Sequence, residues 1–289
     1  MLKRIVVCWN GSVASEAALA WALRLSRDTG LHIEVFDVVE RALFVGDDGA
    51  LERATAQEEQ RLALRLEELA ADHPGAVTAS ALLVGDALEV LSEQTTPAAL
   101  VVVGTAHRVG PRVRYGWSLG ARLATQAAGP VAIVPVEDPA VARQRSGIVV
   151  GVDGSAVASR ALEFAAEQAV TLHQPLRVVH CWQEPLAQEP LIVPEDDFVD
   201  SLEEAHRQLL DALVRQAREA HPALTAEPVL LRRTPVAGLR LESEHAFLLV
   251  VGSRRLSGWS RTWLGSVSHG LVLDLVAPTV LVGPESGDD

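Results

Sequence analysis

Lysine is almost missing from these 289 residues, Lys3 being the only one. A P-loop needs a lysine after its glycines, so that nucleotide-binding class is excluded, as is Schiff-base chemistry elsewhere in the chain. Cysteine is nearly as scarce. Cys8 and Cys181 each sit inside an apolar run, which argues against a disulfide framework and for a reducing compartment. Positive charge is in deficit: 25 Lys and Arg against 38 Asp and Glu leave a net charge of −13. Such a balance excludes a broad electropositive surface for nucleic acid or an anionic membrane. Long hydrophobic runs are absent too, since no stretch approaches the roughly 18 residues of a membrane helix. Met1 to Arg4 before Ile5-Val6-Val7 has the look of a signal peptide. Asn10-Gly11 breaks the apolar run at once, however, and no small-residue cleavage site follows. The expectation is a first β-strand in a cytoplasmic protein.

What is present is a repeat. Ile5-Val6-Val7-Cys8-Trp9-Asn10-Gly11-Ser12 lies over Ile148-Val149-Val150-Gly151-Val152-Asp153-Gly154-Ser155, an offset of 143 residues. Further on, His73-Pro74 lies over His221-Pro222 and Gly104 over Gly252, an offset of 148. The difference places an insertion in the acidic, proline-bearing segment Gln183 to Asp200 of the second copy. Two halves of ordinary domain size follow, residues 1–137 and 147–289, with a polar linker at 138–146 that carries Pro139.

Each half alternates short Val/Ile/Leu-rich runs with helical periodicities. Strands are expected at Ile5 to Cys8, His32 to Val38, Ala79 to Val84, Leu100 to Val103 and Val131 to Val134, and at the matching places of the second copy. Leu62, Leu66 and Leu69 mark the buried face of a long helix in the first half, and Leu202, Leu209 and Leu213 in the second. Near-continuous apolar strands separated by helices imply an α/β fold: two tandem, doubly wound, five-stranded parallel sheets. Ligands of such sheets bind outside the carboxyl ends of the strands. The fifth strand of each half would be an exposed edge, so the two are expected to pair in a pseudo-dimer or to join a second copy in a homodimer.

The run Gly252 to Ser268 follows the fourth strand of the second half and leads into a helix. Backbone N–H groups and a helix dipole converge there, which suits an anion. Gly252 and Gly265 are expected to let the chain approach a ligand, while Ser253, Ser266 and Ser268 supply hydroxyls and Arg254 and Arg261 positive charge. A tight strand–helix turn with a serine cap explains the same residues without a ligand.

Both halves resemble the universal stress proteins in their tandem two-domain form, nearly end to end. Nucleotide-binding members of that family carry Gly, two residues, Gly, nine residues, then Gly followed by Ser or Thr, with an aspartate closing the first strand. The second half has Gly252, Arg255 at the second glycine, and Gly265-Ser266. The resemblance implies a Rossmann-like fold similar to the adenine nucleotide alpha hydrolases, with ATP as ligand, with or without magnesium. Asp153 would then contact the nucleoside and Gly151 the adenine side. Gly252, Ser253, Arg254, Gly258, Gly265, Ser266 and Val267 would hold the phosphates. The first half departs further: Asn10 replaces the aspartate, His107 the second glycine and Trp117 the third, with Gly116 one residue off register and Arg108, Arg112 and Arg114 crowding the loop. It is expected to be a degenerate, mostly structural copy.

Catalytic patterns are missing. The nine histidines show no metal-ligand spacing, and no Gly-x-Ser-x-Gly frame surrounds Gly11-Ser12 or Gly154-Ser155. His180 reads as a satisfied strand-end residue and Cys181 as an inert buried thiol. Three readings remain open at this level. One is a non-catalytic stress sensor or regulator that binds an adenine nucleotide. Another is a nucleotide-independent interaction module. The third is a weak ATP-cleaving or adenylating enzyme.

Overall fold

A computed structural model describes residues 1–106, 118–184, 196–253 and 264–284. The first half runs β1 (Arg4–Cys8), α1 (Val13–Thr29), β2 (His32–Glu40), α2 (Asp48–Asp72), β3 (Val77–Gly85), α3 (Ala87–Glu93), β4 (Ala99–Thr105), α4 (Leu119–Gln126) and β5 (Val131–Pro135). A short helix α5 (Pro139–Gln144) occupies the polar segment expected to be a linker. The second half repeats the order: β6 (Ile148–Val152), α6 (Ala156–Thr171), β7 (Leu176–Trp182), α7 (Asp196–Ala220), β8 (Ala226–Arg232), α8 (Pro235–Ser243), β9 (Leu248–Gly252), α9 (Ser266–Leu273) and β10 (Thr279–Val282).

Local chemistry sets the boundaries. Gly11 (φ 68°) and Gly154 (φ 80°) take the left-handed turn that follows β1 and β6, a conformation that costs glycine little. Ser12 and Ser155 then cap α1 and α6, their hydroxyls accepting the N–H of Ser15 and Ala158, which satisfies one of the unpaired donors of the first turn. Thr234 stands at the cap position of α8 with Pro235 at its first turn, but its hydroxyl makes no capping bond.

The ten strands form one sheet in the order β3-β2-β1-β4-β5-β10-β9-β6-β7-β8. Pairing is parallel within each half. β5 and β10 meet antiparallel, Val131 opposite Leu281 and Ile133 opposite Thr279, so neither fifth strand is an open edge. Because side chains alternate across a strand, each strand feeds two apolar layers. Ile5, Val7, Ile148 and Val150 pack under α1, α2, α6 and α7. Val6, Val149, Leu249 and Val251 pack on the opposite face with α3, α4, α8 and α9. In α7 the fully buried stripe is Leu210, Val214 and Ala217, whereas Leu202, Leu209 and Leu213 are half-buried. The helix is turned by about one position from the expected face, and Leu209 lies beside the Gly154 turn.

Arg145, just past α5, joins the halves. It is 6% exposed; its Nε donates to both oxygens of Glu137 (2.9 and 2.7 Å), Nη1 to the carbonyls of Glu244 and Ala246 (2.9 and 3.2 Å), and Nη2 to that of Val276 (2.6 Å). Beside it, Trp21 of α1 stacks on Phe247 with ring centroids 5.5 Å apart.

Candidate functional site

Strand alternation puts Gly151, Val179, Cys181 and Val251 on the α8/α9 side of the sheet. There they floor a cavity of about 480 Å³ at the carboxyl ends of β6, β7 and β9. That size lies within the usual range for small-molecule sites. Asp153 and Ser155 stand at one wall, Pro235 and Leu239 at another, and Gly265, Ser266 and Val267 at the third. Residues separated by more than a hundred positions therefore face one space. Of the residues expected to bind, Gly151, Asp153, Gly252, Gly265, Ser266 and Val267 line it. Ser253 does not: it is buried, its N–H donating to the Val282 carbonyl at 2.8 Å. Arg254 and Gly258 lie outside the described residues, as do Arg255, Trp259, Arg261 and Trp263.

The glycines have different reasons. At Gly252 a Cβ would stand 2.8 Å from the Val157 carbonyl oxygen, so this glycine lets α6 approach β9, and Gly104 does the same beneath α1. At Gly151 a Cβ would meet Leu239 at 2.8 Å, so its bareness admits the leucine that forms a cavity wall. Gly265 differs from both. Its backbone is ordinary (φ −54°, ψ 153°), and a Cβ there meets no atom of the described residues within 4 Å. Of these three glycines, only Gly265 leaves space to the cavity among the described residues.

Gly265 is also the N-cap of α9, and no side chain of the described residues caps that helix. The first intrahelical bond is His269 N–H to the Gly265 carbonyl, at 2.8 Å. The N–H groups of Ser266, Val267 and Ser268 therefore lack an intrahelical acceptor, and they carry the positive end of the helix dipole. Ser268 Oγ is committed to the Gly252 carbonyl at 3.0 Å, which ties α9 to β9. Across the cavity Asp153 Oδ1 accepts from Ser155 N–H (3.0 Å) and Ser155 Oγ (2.5 Å), fixing the carboxylate in an Asx turn. Burial, with Glu242 adding to it, pushes the Cys181 thiol up to about 11; burial pushes Cys8 up to about 12. Both stay protonated and weakly nucleophilic at neutral pH.

The first half keeps the frame and fills the space. Its cavity measures about 170 Å³, with Cys8 where Gly151 stands, Trp9 for Val152 and Phe36 for Val179. Asn10 repeats the Asx turn, Oδ1 accepting Ser12 N–H at 3.2 Å, without the charge. Arg61 donates to the Asn10 carbonyl at 2.7 Å and lies over the Trp9 ring, covering the turn. Ser118 caps α4, one residue later than Gly265 caps α9, so the start of α4 is already occupied by its own side chain. Residues 107–117, including His107, Arg108, Arg112, Arg114, Gly116 and Trp117, lie outside the described residues.

One pairing was not visible in the sequence. His180 Nδ1 donates to the Val152 carbonyl, and its Nε2 contacts His206 Nδ1 of α7, both at 2.8 Å. His206 in turn stacks on Trp182. Burial, and to a lesser degree His180, pushes the His206 pKa down. The corresponding positions of the first half are Asp37 and Glu58. Asp37 is 2% exposed and its Oδ2 has no hydrogen-bond partner among the described residues. Burial, reinforced by Glu58 and opposed by the Val38 N–H and Arg61, pushes it up from 3.8 to about 6. The folded pKa exceeds the unfolded one, so the stabilising contribution is present below about pH 4 and lost as pH rises through about 6. Asp37→Asn is expected to raise stability by about 1–3 kcal/mol at pH 7.5 and by about nothing at pH 4, measured as the shift in denaturation free energy at each pH.

The sequence profile of the Universal stress protein family matches residues 1–135 and again 145–283. A universal stress protein of Mycobacterium tuberculosis is 27% identical over 301 residues, covering 96% of this chain and 94% of its own. Another from that organism is 30% identical over 226 residues, 78% of this chain and 74% of its own. Among solved structures, a universal stress protein from Archaeoglobus fulgidus gives a TM-score of 0.68 at 17% identity, covering 97% of this chain and 98% of its own. That structural likeness speaks for the fold, and the paired profile matches speak for the family. With the architecture found twice and both halves matched by the family profile, the chain belongs to the universal stress protein family.

Proposed function

We propose that the second half binds an adenine nucleotide, ATP in the first instance, and that the protein acts as a sensor or regulator and not through turnover. The observation that carries this reading is the open space at Gly265, between the uncapped start of α9 and the fixed carboxylate of Asp153. A nucleotide suits both ends. Its phosphates would accept from the N–H groups of Ser266 and Val267 and the Ser266 hydroxyl, where the helix dipole favours negative charge. Asp153 has the geometry to accept a ribose hydroxyl, and the apolar surfaces of Val179, Cys181 and Leu239 offer a face for a flat base. Ser253, turned into the sheet, is no longer needed as a ligand. Asp153 is the only carboxylate among the described residues that line the cavity, so any magnesium would enter with the phosphates.

The chemistry available among the described residues favours retention. The cavity holds Asp153, already accepting two bonds, and a thiol held protonated, but no base positioned beside a nucleophile. The first half, with Cys8, Trp9 and Phe36 in the corresponding space, serves the fold and the β5–β10 junction.

Asp153→Ala tests the reading. Freshly purified protein should release adenine nucleotide on denaturation, and the variant should bind ATP at least tenfold more weakly by titration calorimetry, as expected for a hydrogen bond to a charged group. Steady phosphate or AMP production that disappears in the variant would replace the sensor reading with an enzymatic one. No bound or bindable nucleotide would leave the interaction-module reading.

A further inference from the structure

A second cavity, of about 410 Å³, lies on the other face of the sheet between α1, α2 and α5. Its floor is aromatic and aliphatic: Trp21, Leu69, Val134 and Phe247. Five arginines reach it, Arg24, Arg27, Arg65, Arg143 and Arg145, against two carboxylates, Asp72 and Glu137. In a chain of net charge −13 such a concentration of guanidinium is against the average.

The arginines differ in how their charge is met. Glu137 neutralises Arg145, and Arg65 is shared between Glu16 and Glu68. Arg27 pairs with its exposed sequence neighbour Asp28. Arg143 is exposed and has no partner among the described residues. Arg24 gives two of its N–H groups to the carbonyls of Ala142 and Arg145, at 2.9 and 2.7 Å, and lies 4.6 Å over the Phe247 ring. Carbonyls satisfy donors but do not cancel charge, and no carboxylate bonds to Arg24 among the described residues. Burial pushes its pKa down, opposed by Asp28 and aided by Arg27. A half-buried cation in this condition is stabilised by an anion brought beside it. The apolar floor leaves the body of that anion a surface to cover.

We infer that this cavity is a ligand site separate from the nucleotide cavity, built for a small organic anion with a flat apolar body. Such a ligand would touch α1, α2, the connecting helix α5 and Phe247 of the second half at once, and so would tie the two halves together. The inference does not depend on the nucleotide reading.

Two dyes of matched shape test it: 1-anilinonaphthalene-8-sulfonate, and N-phenyl-1-naphthylamine, which has the same rings without the sulfonate. Fluorescence titration of the full chain should show the sulfonate binding at least tenfold tighter. Arg27→Glu with Arg143→Glu, both on exposed side chains, should remove that preference and leave the neutral dye within about threefold. Ala20→Trp, which fills the cavity from α1, should weaken both dyes at least tenfold. Saturating ATP and Gly265→Val should change neither titration, which separates this site from the other cavity. Equal affinity for the two dyes, a preference that survives the charge reversal, sulfonate binding unaffected by Ala20→Trp, or displacement by ATP would each overturn the assignment.

Discussion

Gly265→Val should abolish nucleotide binding, lowering affinity for ATP at least 100-fold while leaving the fold in place. The expectation separates two effects that usually travel together. The backbone at this position (φ −54°, ψ 153°) lies in the extended region open to any residue, and no atom of the described residues stands within 4 Å of a new Cβ. Valine would thus meet neither strain nor, among the described residues, a clash. Exchanging glycine for a branched residue at an N-cap costs on the order of 1 kcal/mol, too little to unfold a domain of this size. Its methyl groups would nevertheless occupy the approach to the N–H groups of Ser266 and Val267. A 100-fold loss corresponds to about 2.7 kcal/mol, comparable to one or two charge-assisted hydrogen bonds. Gly265→Ser sharpens the point. Serine caps at least as well as glycine, so this variant should hold or gain stability while still losing affinity. Calorimetric titration beside thermal melts would show the opposed changes.

Arg145→Ala should be the most damaging single substitution at the junction, lowering stability by about 3–5 kcal/mol. The guanidinium satisfies both oxygens of Glu137 and the carbonyls of Glu244, Ala246 and Val276, and alanine would leave all of them without their partner. Removing one member of a buried pair is costly because the other keeps its charge out of water. Arg145→Lys should recover only part of the loss, since an ammonium cannot match the planar fork. Glu137→Gln should cost less, because the carbonyl contacts remain. Urea denaturation of the three variants would rank them, and a second transition in Arg145→Ala would show the halves uncoupling.

The fold was legible because it is written twice. Val/Ile/Leu runs gave strands to within a residue or two, and the repeat aligned each element with its counterpart; β10 falls where the repeat places it. The edge argument anticipated that β5 needed a partner, and β10 supplies it. Periodicity served less well on α7, where Leu202, Leu209 and Leu213 mark a usable apolar face. The buried stripe is Leu210, Val214 and Ala217, which pack into the core under the sheet, a tertiary fact.

At the site, residue type was easier to read than residue purpose. Gly252, Gly151 and Gly265 look alike in a sequence, yet one admits a helix, one admits a leucine and one leaves room in a cavity. Nothing in a string of residues states what stands 3 Å from an absent Cβ. Ser253 looks like a donor in a loop but is the last residue paired along the sheet, and Ser268 spends its hydroxyl on Gly252. Asn10 and the altered glycines pointed to a degenerate, mostly structural first copy, but not to a narrowed cavity. The described residues that narrow it are Cys8, Trp9 and Phe36, which read as ordinary strand residues until they are laid over Gly151, Val152 and Val179.

The number of ATP molecules bound per chain tests the central claim most directly. Titration calorimetry of nucleotide-free protein should give one site, retained when Asn10 is replaced by alanine and lost when Gly265 is replaced by valine. Two sites per chain, or a single site abolished by Asn10→Ala and indifferent to Gly265→Val, would contradict the assignment of nucleotide binding to the second half.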